Sequence, residues 1–330
     1  MGEYNGKINV SKDTMLFVVN DIFDNEIKES MTKENILKLM PKVYEKADEK
    51  QIIKMLPYGT YNALEKLIEY VKTSDDIKKF IYDKEHQDTR YLEEAMIVVM
   101  RAKYNDYNYS LNHGVMENLK GLFSKENKEV AKRYGEIEKL TIGMLYAYGV
   151  VDFEFLRKQL SKYMNEIITE AELNDLFFTR LNLNTFVNDY IIKWTNKNKV
   201  QVFVTYLNEE YCPIDIGEIA EEQKARNMRY KQFRKQEILK REEGFYDERA
   251  QKLYKFLKAK NPNLYEWPFK SLIKRSELGL NILGEISDMC RFDNEEELKI
   301  FMELYTEWYN NSPQYMLGGY SPIEFRKFYK

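Results

Sequence analysis

The stretch TRYLEEAMIVVMRAKY, residues 89–104, holds a dense apolar cluster, Ala95 to Met100, and its assignment sets the character of the first domain. It contains no Gly or Pro. Those breakers are scarce throughout, with 14 Gly and 7 Pro in 330 residues, while Leu, Lys, Glu and Ile abound. Such a composition argues for a mainly helical protein. The stretch is therefore predicted as a buried helix, the most apolar of the chain and central to an N-terminal core.

The segments before it fit. Residues 32–47, TKENILKLMPKVYEKA, open on Thr32 as an N-cap, and Ile36, Leu39, Met40 and Val43 recur at helical spacing. Pro41 predicts a kink or break, because proline lacks an N–H and its ring clashes with the carbonyl four residues back. Residues 56–72 read as a helix end, a turn at 57–59, then a helix with Leu64, Leu67, Ile68 and Val71 on one face. The spacing predicts a bundle of short antiparallel helices over residues 1–130.

Residues 131–212 differ. A helix over 135–148 ends near Gly149, and Asp152 is placed to cap the next, DFEFLRKQLSKYM. Thr169, with Glu172 three residues on, forms the capping-box pattern before a third. The period then changes. FVNDYIIKW, 186–194, has strand composition, a Thr-Asn-Lys-Asn turn follows, and KVQVFVTYL, 199–207, alternates Val200, Val202, Val204 and Tyr206 with Gln201, Phe203 and Thr205. Two such runs around a short polar turn predict a β-hairpin. Three helices and a hairpin resemble a winged-helix module over 135–207. The third helix carries Glu170, Glu172 and Asp175 against Arg180. Phosphates repel that charge from a major groove, so the module is expected to bind protein or to scaffold.

Residues 213–330 are predicted as a long charged helix, from about 216 to 260 with a possible interruption at Gly244, followed by a helical cap. Asn294 and three glutamates open a well-capped helix, acidic where the helix end is positive. In the tail, WYNNSPQYMLGGYSPIEF, Asn310 and Asn311 end a helix, Gly318 and Gly319 supply a sharp turn, and Ser321-Pro322 begin a last helix. Trp308, Tyr315, Tyr320 and Phe325 are expected to pack back as a structural clasp. This tail resembles the final segment of integrase-type transposases and of some uncharacterised bacterial helical proteins. The resemblance rests on Trp308, Tyr309, Asn310, Asn311, Pro313, Leu317, Gly319, Ser321, Pro322, Glu324 and Phe325. Such transposases carry three carboxylates on an RNase H-like sheet to hold two metal ions. The residues before this tail predict one hairpin and many helices, which provide no platform for that triad. The predicted fold class is mainly α, a multi-helix bundle with an embedded winged-helix-like β-hairpin.

Charge and motifs narrow the function. The net charge is −3, without the overall basic excess of a dedicated nucleic-acid-binding domain. Two cysteines, Cys212 and Cys290, make neither a disulfide framework nor a zinc knuckle, and reduced thiols in the cytoplasm are expected. No signal peptide and no membrane-length apolar run is read from the sequence. His86 and His113 stand outside metal-binding spacings, and phosphate-cradling and nucleophile-elbow motifs are missing. No catalytic residue, metal or cofactor is expected. The strongest electrostatic feature is residues 224–241, with eight Lys/Arg against one Glu. A surface formed by Lys224, Arg226, Arg229, Tyr230, Lys231, Phe233, Arg234 and Lys235, with Lys197 and Lys199 at the hairpin tip, would neutralise phosphates or meet an acidic protein. The alternative for this stretch is a solvated helix face. The expected function is a non-enzymatic binding or regulatory protein acting on a nucleic acid or a nucleic-acid-handling complex. The alternative is a protein–protein adaptor or inhibitor, phage- or defence-related, without nucleic-acid contact.

Overall fold

A computed structural model describes residues 6–82, 90–104, 106–119, 121–182, 194–196, 199–201, 203–205, 216–225, 230–242 and 247–328. It is mainly helical, 67% helix against 7% strand, in keeping with the mainly-α expectation. The chain forms two compact units, residues 1–138 with 169–186 and residues 139–168 with 187–330.

The first unit departs from a pure bundle at the stretch quoted above. Helix Arg90–Glu94 stops early, Met96 takes a left-handed φ of 56°, and Val98–Lys103 is a strand rather than the predicted helix. It is the middle member of a three-stranded antiparallel sheet, between Lys7–Ile8 and Asp106–Leu111, with Val98 opposite Leu111 and Lys103 opposite Asp106. The physical reason is local. Ile97, Val98 and Val99 are β-branched, stiff and suited to a pleated surface. A continuous apolar run of this length also reads alike for a buried strand and a buried helix. The strand is the core element that the helix was expected to be: Ile97 and Val98 are fully buried with Met15, Ile36, Met40, Leu64 and Leu67.

Thr32 caps helix Lys33–Lys46, accepting from the Asn35 N–H. Pro41 does not break it. Proline leaves the Leu37 carbonyl without its helical donor, and the Asn112 side-chain amide donates to that oxygen at 3.3 Å. The Asn118 amide donates to the Pro41 carbonyl at 2.7 Å. Helix Glu170–Asn182 is capped by Thr169, but its capping-box partner is diverted: Glu172 takes a bidentate contact from Arg133.

In the second unit, helix Lys125–Tyr148 ends at Gly149, whose φ is 68°. Strand Val150–Asp152 follows, and Asp152 caps helix Phe153–Met164 through the Phe155 N–H at 2.8 Å. The expected hairpin is present only as three pairs, Trp194–Asn196 against Lys199–Gln201. Residues 186–193, the remainder of its first strand, lie outside the described residues. Phe203–Thr205 pairs instead with Val150–Asp152.

The long charged helix is not continuous. Helices Ile216–Ala225, Lys235–Glu242 and Glu248–Lys260 are separate, and residues 230–234 have no helical structure. Helix propensity, favourable for lysine and arginine, is a weak preference that tertiary packing overrides, and here Phe233 is buried and Tyr230 packs on aromatic rings. Burial of those rings sets the backbone. Beyond come helices Glu266–Glu277, Leu283–Ser287 and Glu295–Asn311, the last capped by Asn294, around a core of Leu253, Phe269, Ile282, Phe301 and Trp308. Gly318 and Gly319 turn with positive φ. Ser321 and Glu324 then form a reciprocal capping box that starts helix Pro322–Phe328. Trp308 and Tyr315 are buried, as the clasp requires.

Candidate functional site

The basic segment of residues 230–235 faces inward more than outward. Tyr230 stacks on Phe155 at 4.4 Å between centroids and meets Tyr148 edge-on at 5.3 Å. Its hydroxyl accepts from the Asp152 N–H at 3.0 Å and donates to Gln223 Oε1 at 3.2 Å, and burial pushes its pKa up. The Lys231 ammonium binds both carboxylate oxygens of Glu324, and its N–H donates to the Gly318 carbonyl. Phe233 lies beneath two cations, Lys231 at 5.0 Å and Arg241 at 4.7 Å from its centroid. Lys235 Nζ donates to the Tyr163 carbonyl. Arg234 is exposed, and its N–H donates to Glu237 Oε2. Arg226, Arg229 and Lys197 lie outside the described residues, as do the side chains of Lys224 and Lys199.

A cleft elsewhere in the second unit has the geometry of a binding site. It encloses about 380 Å³ against one wall made by helix Glu266–Glu277. Pro268 sits in the first turn of that helix, where its missing N–H costs nothing. Trp267, Lys270, Ser271 and Lys274 all line the cleft, and their spacing of three, four and seven residues puts them on one helical face. At about 1.5 Å per residue, the row from Trp267 to Glu277 is roughly 15 Å long. Gly279, with φ of 87°, ends the helix just beyond it.

The groups along this row differ in character. Trp267 is 72% exposed, an uncommon state for the largest apolar side chain. The Lys274 ammonium lies 5.4 Å from the centroid of Tyr146 on the facing wall. Arg241 is buried, a fixed positive centre over Phe233. Glu277 is also buried, and Tyr315 donates its hydroxyl to Glu277 Oε2 at 2.8 Å. Trp308, Ser312 and Pro313 complete the walls, with Asp247, whose carboxylate caps helix Glu248–Lys260.

A second cavity of about 400 Å³ shares Arg241, Asp247 and Pro313 with the first. Its charges nearly balance, Lys240, Arg249 and Lys252 standing against Glu237, Glu248 and Glu307. Among the described residues, no group of three or more His, Cys, Asp or Glu is placed to hold a metal ion. The arrangement in the first cleft suits binding: an exposed aromatic face, cations at one-turn intervals and a buried acceptor.

The sequence carried a signal for this site in EWPFKSLIKRSE, where a tryptophan is followed by lysines three and seven positions on. The signal gains meaning only when Tyr146 and Arg241, distant in the chain, supply the other walls. No family model, no curated protein and no solved structure matches this chain. Among the described residues, no helix is long and apolar enough to cross a membrane.

Proposed function

We propose that this protein is a non-enzymatic binding protein that holds single-stranded nucleic acid in the cleft beside helix Glu266–Glu277. One observation carries the reading: Trp267, Lys270 and Lys274 form a single stripe on a cavity that Tyr146 and Arg241 also line. Every base has a π-face, and stacking on an exposed aromatic contributes about 1–3 kcal/mol per base whatever the sequence. Cations beside it neutralise the backbone. The roughly 15 Å row accommodates a few nucleotides, about four at a stacked spacing of 3.4 Å. A duplex keeps its bases stacked on each other and offers Trp267 no free face. The winged-helix-like order of residues 135–207 enters this proposal only as a scaffold, because helix Glu170–Asn182 presents Glu170, Glu172 and Asp175.

The test is fluorescence anisotropy of a labelled thymidine oligonucleotide of about twelve nucleotides, within the site sizes such grooves cover, titrated at low and raised salt. The expected result is binding that weakens steeply with salt and is lost in the Lys270→Glu/Lys274→Glu double variant. No binding at low salt overturns the proposal.

One observation favours the adaptor reading. Helix Glu295–Asn311 exposes Leu298 and Met302, and Met302 shares a shallow surface depression with the exposed Ile323. Apolar groups gathered on one face suit a protein partner. Substituting Leu298 and Met302 by Ser leaves oligonucleotide binding intact under the first reading.

A further inference from the structure

Two large aromatic side chains stand out from the surface two residues apart. Tyr265 is 71% exposed, close to the 72% of Trp267. Rings of this size are mostly covered, and others in this unit pack on one another, as Phe301, Tyr305 and Trp308 do. Among the described residues, neither Tyr265 nor Trp267 packs on another ring. The backbone that presents them is pinned. Leu264 is buried in the core, and its carbonyl accepts from Lys258 Nζ at 2.7 Å and from the Tyr254 hydroxyl at 3.3 Å. The Asn261 side-chain amide donates to the Met289 carbonyl at 2.9 Å. Trp267 lines the cleft, and Tyr265 is the residue that precedes helix Glu266–Glu277.

We infer that Tyr265 and Trp267 clamp one unpaired base at the Trp267 end of the cleft, with Tyr265 as a stacking residue that the cleft walls themselves do not supply. The inference rests on the nucleic-acid reading of the same cleft. Two Cα atoms two residues apart are separated by at most about 7 Å. A base held between two rings needs two stacking gaps of about 3.4 Å, which is the same separation. The spacing therefore suits one base and no more. A lone exposed ring covers one face of a base and leaves the other to water. A second ring covers that face as well and removes more apolar area from water. The charge here also favours a base over a phosphate. Glu266, between the two aromatics in sequence, binds the Lys270 ammonium at 3.0 Å. A carboxylate repels a phosphate, whereas the face of a base carries no charge. The phosphates that follow the clamped base run toward Lys274, further along the same helical face. The phenol hydroxyl of Tyr265 has no part in stacking, so the ring alone is required.

The experiment uses the full chain with two labelled probes. One is a thymidine oligonucleotide of about twelve nucleotides, and the other is an abasic strand of the same length, which keeps every phosphate and no base. Affinities are read by anisotropy. Tyr265→Ala is expected to bind the thymidine oligonucleotide roughly tenfold more weakly, the usual scale for one stacked base, with its salt slope unchanged. Tyr265→Phe, which keeps the ring, is expected to match the parent. The abasic strand is expected to bind the parent and Tyr265→Ala alike. The Tyr265→Ala/Trp267→Ala double variant is expected to lose less than the product of the two single losses, because one ring alone holds the base loosely. Unchanged thymidine affinity in Tyr265→Ala overturns the clamp and leaves the binding proposal standing. So does an equal loss with the abasic strand, or a loss in Tyr265→Phe as large as in Tyr265→Ala. A double-variant loss equal to the product gives each ring its own base and also overturns the clamp. Failure of the thymidine oligonucleotide to bind the parent overturns both.

Discussion

The Lys231 ammonium lies 2.7 and 2.8 Å from the two carboxylate oxygens of Glu324, a contact across 93 residues of chain. Glu324 also accepts from the N–H of Ser321 and so closes the box that starts the last helix. Lys231 therefore ties the inward-facing basic segment to the C-terminal clasp. The side chains are 24% and 35% exposed, between the regimes of surface and buried pairs. A double-mutant cycle with Lys231→Met and Glu324→Gln is expected to give a coupling of about 1–2 kcal/mol, measured from urea midpoints. A coupling indistinguishable from zero would mean that solvent screens the pair completely.

The same pair sets a pH dependence. Burial raises the pKa of Glu324, but the Lys231 and Ser321 contacts outweigh it and hold the carboxyl below its ordinary value. A depressed acid contributes stability that is fully present above its unfolded pKa, about 4.3, and is lost as pH falls through the lower folded value. Asp152 has the opposite sign: burial outweighs its backbone hydrogen bonds and raises its pKa. Its protonation contributes stability below an unfolded value of about 3.9, lost as pH rises through the folded one. Thermal melts between about pH 3 and 7 are expected to show a shallower acid limb in Glu324→Gln. Asp152→Asn, which still caps the helix, is expected to match or exceed the parent at neutral pH. The reverse order of these two variants would contradict the assigned directions.

Gly149 is required twice over. Its φ of 68° suits glycine, and a Cβ there would lie 2.4 Å from Cδ2 of Tyr315. Left-handed strain and forced repacking together predict a loss of about 2–4 kcal/mol for Gly149→Ala. Urea unfolding of the variant beside the parent checks the loss.

What the sequence disclosed was local chemistry. Thr32, Asp152 and Asn294 cap the helices that they were expected to cap, and Gly318-Gly319 and Ser321-Pro322 make the turn and the helix start. Each of these depends on neighbours within a few residues. The Val98–Lys103 strand was hidden because its apolar run has no period of its own, and only pairing with Asp106–Leu111 settles it. Residues 230–234 looked helical by composition, yet the rings of Tyr148 and Phe155, some eighty residues earlier, draw Tyr230 and Phe233 inward. Half of the cleft was legible as a spacing within one helix. Its other walls, Tyr146, Arg241, Trp308 and Ser312, are brought there by tertiary structure alone.

The cleft and the basic stretch of residues 224–241 make different predictions for salt dependence, which separates them. Each phosphate neutralised on a single strand contributes about 0.7 to the slope of log affinity against log salt. Replacing Lys270 and Lys274 by Ala is therefore expected to reduce that slope by about 1.4. Trp267→Ala acts on stacking, and is expected to cost about 1–3 kcal/mol at every salt concentration with the slope unchanged. Its 72% exposure means that the fold loses little. Arg226→Ala and Arg229→Ala are expected to leave both affinity and slope near parental values. If instead the slope falls with those two arginines and not with the two lysines, the phosphates run along the basic stretch and the cleft beside helix Glu266–Glu277 serves another ligand.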